Sequence, residues 1–111
     1  LAKNLLRDLI GDKKKVVAMD DIQEAVCTKF HVKVTELKSR RRSKTLVQPR
    51  QIAMYLCREL TDSSYPEIGR QFGGKDHTTI IHACRQVAKA READAALQTT
   101  IATLKEQILR S

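Results

Sequence analysis

Apolar residues recur along this chain at the three- and four-residue spacing of helices and never in the sustained alternation of a strand, so the sequence predicts an all-α fold. Ala2, Leu5, Leu6, Leu9 and Ile10 form one apolar face from Leu1 to about Asp12, where Gly11 and the run Lys13 to Lys15 weaken the pattern. Asp20 and Gln23 have the spacing of a capping box and open a helix carried to about Phe30 by Ile22 and Val26. Val34 and Leu37 allow one further turn. Pro49 suits a first helical turn, and Ile52, Ala53, Leu56, Cys57 and Leu60 then form a buried stripe ending near Thr61. The next helix opens at Ser64 or Tyr65, with Pro66 in its first turn, and stops at Gly73-Gly74. Another should run from Asp76 to about Arg91, burying Ile80, Ile81, Cys84, Val87 and Ala88 while Thr78, His82, Arg85 and Lys89 line the opposite face. Leu97, Ile101, Leu104 and Ile108 mark a last helix. A length of 111 residues suits one compact helical domain, expected over 16–111, with a separate helix over 1–15.

Two short helices joined by a glycine turn, with hydrogen-bonding side chains crowded into the second helix's first turn, have the form of a helix-turn-helix. Asp76 can cap the second helix, and Asp76, His77, Thr78 and Thr79 then project from the end that enters a major groove. Asp can accept from cytosine N4, His can donate to or accept from a base edge, and a Thr methyl can pack on the thymine methyl. The same cluster also fits an ordinary N-cap followed by polar residues, so its surroundings matter.

Charge supplies those surroundings. Lys and Arg outnumber Asp and Glu by 21 to 13, giving a net charge of +8 that favours a polyanion, either nucleic acid or an anionic membrane. Lys38-Ser39-Arg40-Arg41-Arg42-Ser43-Lys44 is the sharpest shift in composition and reads as a loop. An Arg-rich loop beside a helix-turn-helix can enter a narrow minor groove while the helix occupies the major one. With no Trp, two Tyr and two Phe, stacking single-stranded bases on aromatic rings has little to work with, and duplex binding is preferred.

Several other chemistries fall away. Gly69 to Lys75 has the spacing of a phosphate-binding loop, but Asp76 follows where Ser or Thr would hold Mg²⁺, and a helix rather than a strand precedes it. His77 and His82 are five apart, off the spacing that aligns helical metal ligands. Cys27, Cys57 and Cys84 form no paired motif and sit at apolar helix positions, as reduced core thiols of a cytosolic protein do. No apolar run approaches the ~18 residues of a membrane span. A chain opening at Leu1 without Met is expected to be a piece of a longer protein.

Arg40-Arg41-Arg42-Ser43, Pro49-Arg50-Gln51-Ile52-Ala53-Met54, Pro66-Glu67-Ile68-Gly69 and Phe72-Gly73-Gly74-Lys75-Asp76-His77-Thr78-Thr79-Ile80-Ile81-His82-Ala83, in this order and spacing, resemble the C-terminal DNA-binding domain of the bacterial replication initiator DnaA family. The resemblance covers about Val17 to Ala90. It implies that Asp76, His77 and Thr78, with Thr79 on the same surface, read bases of a DnaA box, an asymmetric duplex close to TTATCCACA. It implies that Arg42 enters the minor groove and that Arg50 and Gln51 bind phosphate, with Lys44, Arg58 and Lys75 as further backbone contacts. Lys75 stands where Arg is common, Gln48 where a basic residue often lies and Arg58 where Lys is common, departures that bear on phosphate contacts rather than base readout. Residues 1–15 resemble the connector helix from the family's ATPase domain, the partner region of the full-length chain. A DNA-binding, non-enzymatic role in replication initiation follows, in the bacterial cytoplasm at the nucleoid, with no cofactor in this segment and no obligate oligomer. A competing expectation is a basic module docking on acidic phospholipids, through Leu5, Leu6, Leu9, Ile10 and Lys13 to Lys15, or on a regulatory protein.

Overall fold

A computed structural model describes residues 17–40 and 43–110, so the expected helix over 1–15 and the Arg41-Arg42 pair lie outside the described residues. Within them the chain is helical in six segments: α1 (Met19–Phe30), α2 (Val34–Leu37), α3 (Lys44–Leu60), α4 (Tyr65–Gln71), α5 (His77–Ala93) and α6 (Ala95–Arg110). No strand occurs among the described residues.

Helix α3 runs through the centre and pairs most extensively with α5, while α1 packs on its other side. Ile52, Ala53, Met54, Leu56 and Cys57 of α3 are buried against Ile22 and Val26 of α1, Ile68 and Phe72 around α4, and Ile80, Ala83, Cys84 and Val87 of α5. The α6 stripe is as expected: Leu97, Ile101, Leu104 and Ile108 are all buried. On α5 the stripe holds with one adjustment, since Ile81 and Ala88 are half-buried and Ala83 joins the core. All three thiols are free and buried, and burial pushes Cys57 up to about 12 and Cys84 up to about 11, which leaves them protonated and inert.

Two expected local features are corrected. The Asp20–Gln23 capping box does not form: Ala18 is the N-cap, in extended conformation, and Gln23 turns inward, donating from Nε2 to the Gln71 carbonyl at 2.8 Å. That carbonyl lies at the end of α4, where the helix has no further donor of its own, so the amide serves as a tie between helices. Helix α3 starts at Lys44, earlier than Pro49, and carries Pro49 inside it. Proline removes one backbone donor there, but Leu46 is buried and its N–H bonds Ser43 O at 3.0 Å, which holds the preceding turn on the domain.

Helix α4 is built as its sequence requires. Ser64 Oγ accepts from the Glu67 N–H at 3.3 Å, Glu67 Oε1 accepts from the Ser64 N–H at 2.8 Å, and Pro66 occupies the first turn. The helix closes where the N–H groups of Phe72, Gly74 and Lys75 converge on Gly69 O, at 3.2, 3.0 and 2.9 Å. Gly73 and Gly74 take φ of 85° and 78°, the left-handed region glycine enters at little cost. Gly69 serves a different need: a Cβ there would overlap the Lys75 carbonyl, whereas Gly74 faces open space.

Gly69→Ala should therefore destabilise the domain by about 2–3 kcal/mol, the upper part of the usual range for overpacking. Gly74→Ala, carrying only the left-handed penalty, should cost about 1 kcal/mol. Urea unfolding of both variants checks this, and equal losses would contradict the proposed overlap at Gly69.

Candidate nucleic-acid interface

The turn between α4 and α5 delivers a polar helix end to the surface. Asp76 is the N-cap of α5, extended at φ −62° and ψ 143°, and its Oδ1 accepts from the Thr78 N–H at 3.4 Å. His77 Nδ1 lies 3.1 Å from the same oxygen. The Thr78 N–H, aided by His77, holds the Asp76 carboxyl below the usual carboxylate range. A neutral His77 that keeps its proton on Nδ1 for Asp76 presents Nε2 as an acceptor, suited to an exocyclic amino group on a base. A carboxylate has about four lone-pair positions, so capping and the histidine contact leave room on Asp76 for a cytosine N4 donor. Asp76, His77, Thr78 and Thr79 are all exposed, while Ile80, the next residue, is fully buried. One turn of helix thus passes from surface to core.

Beside this turn opens a cleft of about 530 Å³ between α3, the glycine turn and α5. Gln51 and Val47 line it from α3, Lys75 and Asp76 from the turn, and Thr79 and His82 from α5. Arg40 and Arg50 add positive charge at its wall. The cleft has the shape and sign to accept an anionic backbone.

Of the sequence-predicted base readers, the structure brings Asp76, His77, Thr78 and Thr79 together, and Arg42 lies outside the described residues. The predicted phosphate contacts divide. Lys44 is exposed at the start of α3 and Gln51 is half-buried on the cleft wall. Arg58 is exposed farther along α3, outside the cleft lining; its Nη1 donates to Ser63 O at 3.0 Å and its guanidinium lies 4.2 Å from the Tyr65 ring centroid. Arg50 is only 8% exposed and turns inward, donating from Nε to Leu37 O at 3.0 Å and from Nη2 to Glu36 O at 2.9 Å. Lys75 is half-buried, its Nζ donating to Ser39 O at 2.9 Å and Phe72 O at 2.8 Å. Burial lowers the pKa of both cations, and the charges of Arg50 and Arg40 lower that of Lys75 further. Sequence reasoning did not single out Arg40 and His82 for the cleft; the signals available were the arginine run and the outward stripe of α5.

No group of three or more His, Cys, Asp or Glu side chains is placed to hold a metal among the described residues, and no described helix is long and apolar enough to cross a membrane.

Comparison with known proteins adds a consistent set of similarities. The family model described as the bacterial DnaA protein helix-turn-helix matches residues 19–87. A chromosomal replication initiator protein DnaA of Geobacter metallireducens is 52% identical over 98% of this chain and 24% of its own length. The corresponding protein of Lactobacillus johnsonii is 49% identical over 97% of this chain and 24% of its own. The chain therefore spans about a quarter of the length of these relatives. Among solved structures, that of a DNA replication initiation factor superposes with a TM-score of 0.72 at 35% identity, covering 83% of this chain and 29% of that one. A replication initiator DnaA bound to AMPPCP and single-stranded DNA gives 0.71 at 33% identity, covering 84% and 29%.

The cap makes a separable prediction. Asp76→Ala should lower the melting temperature by a few degrees, and Asp76→Asn, which keeps a side-chain acceptor, should lower it less. Because the folded carboxyl is depressed, its stabilisation is present above the ordinary carboxylate pKa of about 4 and is lost as pH falls through the lower folded value. Melts across this acidic range should show a smaller loss in Asp76→Asn than in the parent chain, since Glu67, also held below its ordinary value by the Ser64 cap, contributes to both.

Proposed function

Because the chain belongs to the bacterial DnaA helix-turn-helix family, a DNA-binding element rather than a catalytic one, we propose that it recognises DnaA boxes in duplex DNA close to TTATCCACA at a replication origin. The observation that carries this reading is the capped first turn of α5, where Asp76, His77, Thr78 and Thr79 stand exposed beside a positively lined cleft. In it, α5 enters the major groove, with Asp76, His77 and Thr78 at base edges and Thr79 beside them. Lys44 and Gln51 meet phosphates, and Arg42 enters the adjacent minor groove.

A duplex is favoured over a single strand by where the aromatic residues lie. Tyr55 and Phe72 are buried, and Phe30 and Tyr65 are half-buried, so the described surface offers no open stacking platform. A role at phospholipid surfaces would rest on residues 1–15, outside the described residues, and no described feature favours it.

Fluorescence anisotropy with a labelled TTATCCACA duplex against a scrambled duplex of equal composition should show strong preference for the box at roughly physiological salt, where non-specific binding weakens. Replacing His77 by Ala should cost about 1–3 kcal/mol at its matching base pair and relax the choice there. Gln51→Ala should instead weaken both duplexes alike. Equal binding of the parent chain to both duplexes would contradict box recognition.

A further inference from the structure

The basic loop is held at its root from two directions. The last turn of a helix has carbonyls with no intrahelical donor, and α2 ends at Leu37 with such groups facing α3 and the glycine turn. Arg50 supplies a donor to Leu37 O at 3.0 Å and a further one, at 2.9 Å, to Glu36 O, which the Ser39 N–H and hydroxyl also reach. Lys75 bridges Ser39 O, at 2.9 Å, to Phe72 O, at 2.8 Å. Between these two ties the Lys38 carbonyl lies against Gly73 so closely that a Cβ there would overlap it. The carbonyls of Glu36, Leu37 and Ser39 thus accept hydrogen bonds from α3 or from the turn that aims α5, and that of Lys38 packs closely against Gly73. The next residue, Arg40, is exposed and lines the cleft.

For Lys75 to reach a phosphate, it would have to leave two carbonyls inside a partly buried setting, and stranding such groups is costly. Arg50 faces the same obstacle more severely, because its guanidinium is almost wholly enclosed. Arg40 meets no such cost. We infer that Lys75 and Arg50 are positioning residues that fix the backbone from Glu36 to Ser39 and so deliver Arg40 to the cleft as a ligand for a DNA backbone phosphate. The inference rests on the duplex-binding reading and departs from direct phosphate contact by Lys75 and Arg50. It also makes the glycine turn a shared support, setting α5 and Arg40 at a fixed separation.

A double-mutant cycle on the complete 111-residue chain separates the two roles. Arg40→Ala, Lys75→Met and the double variant are titrated by anisotropy onto box and scrambled duplexes over a range of salt, with a thermal melt of each protein. Arg40→Ala should weaken binding by about tenfold, as loss of one charge-assisted contact does, and reduce the slope of log affinity against log salt by about 0.9. Lys75→Met should produce a similar loss, and the double variant should be no more than about twofold weaker than the weaker single variant. Lys75→Arg, whose guanidinium can still bridge two carbonyls, should restore most of the affinity. If Lys75→Met lowers the folded fraction, Lys75→Gln, whose amide still donates to one carbonyl, replaces it in the cycle.

Multiplicative losses in the double variant, with the salt slope falling by about 1.8, would place Lys75 on a phosphate of its own and overturn the inference. An unchanged affinity in Arg40→Ala would overturn it as well. Failure of the box reading is distinguishable: the parent chain would then bind both duplexes equally, while the coupling between Arg40 and Lys75 would still appear on either one.

Discussion

At Gly69 the backbone of α4 meets the carbonyl of Lys75, and at Gly73 the turn meets the carbonyl of Lys38; in neither place is there room for a Cβ. These two approaches set the geometry of everything on the binding face. The first brings α4 against the start of α5, with the Gly69 carbonyl gathering three N–H donors, so the angle between the two helices is fixed by main chain rather than by adaptable side chains. The second brings the root of the basic loop onto the same turn. The start of α5 and the root of the basic loop are thereby mounted on a single support, as the proposed joint contact with one duplex requires.

The cations of this chain do two kinds of work, and the difference is one of solvation. A charge such as Lys44 stays in water and is available to a polyanion at small cost. Arg50 and Lys75 have given up part of that hydration, which lowers their pKa, and backbone carbonyls replace the lost water. Their charge still adds to the positive potential of the cleft, so long-range attraction of DNA does not require that they leave their partners. Net charge alone, +8 over the chain, would not distinguish these roles.

What the sequence made legible follows from period and punctuation. The stripes of α5 and α6, the start of α4 at Ser64 and the stop at Gly73-Gly74 were readable because amphipathic spacing and special residues act locally. The exposed polar turn at the start of α5 was readable for the same reason: a cap followed by polar residues is contiguous in sequence. The start of α3 was misplaced because a Pro past the first turn is tolerated when Leu46 is buried, which is a tertiary effect. Gln23 looked like a local cap residue but found its partner in Gln71 across the core. Arg50 and Lys75 were expected at phosphates from the family resemblance; their carbonyl partners, distant in sequence, were not legible because they are set by tertiary packing.

A crystal structure of the chain on a duplex carrying TTATCCACA is the decisive measurement. The first turn of α5 should lie at base edges in the major groove, with Arg40 at a phosphate and Lys75 Nζ still bridging the Ser39 and Phe72 carbonyls. An α5 lying outside the groove, or Lys75 turned away from those carbonyls onto the DNA, would contradict this arrangement.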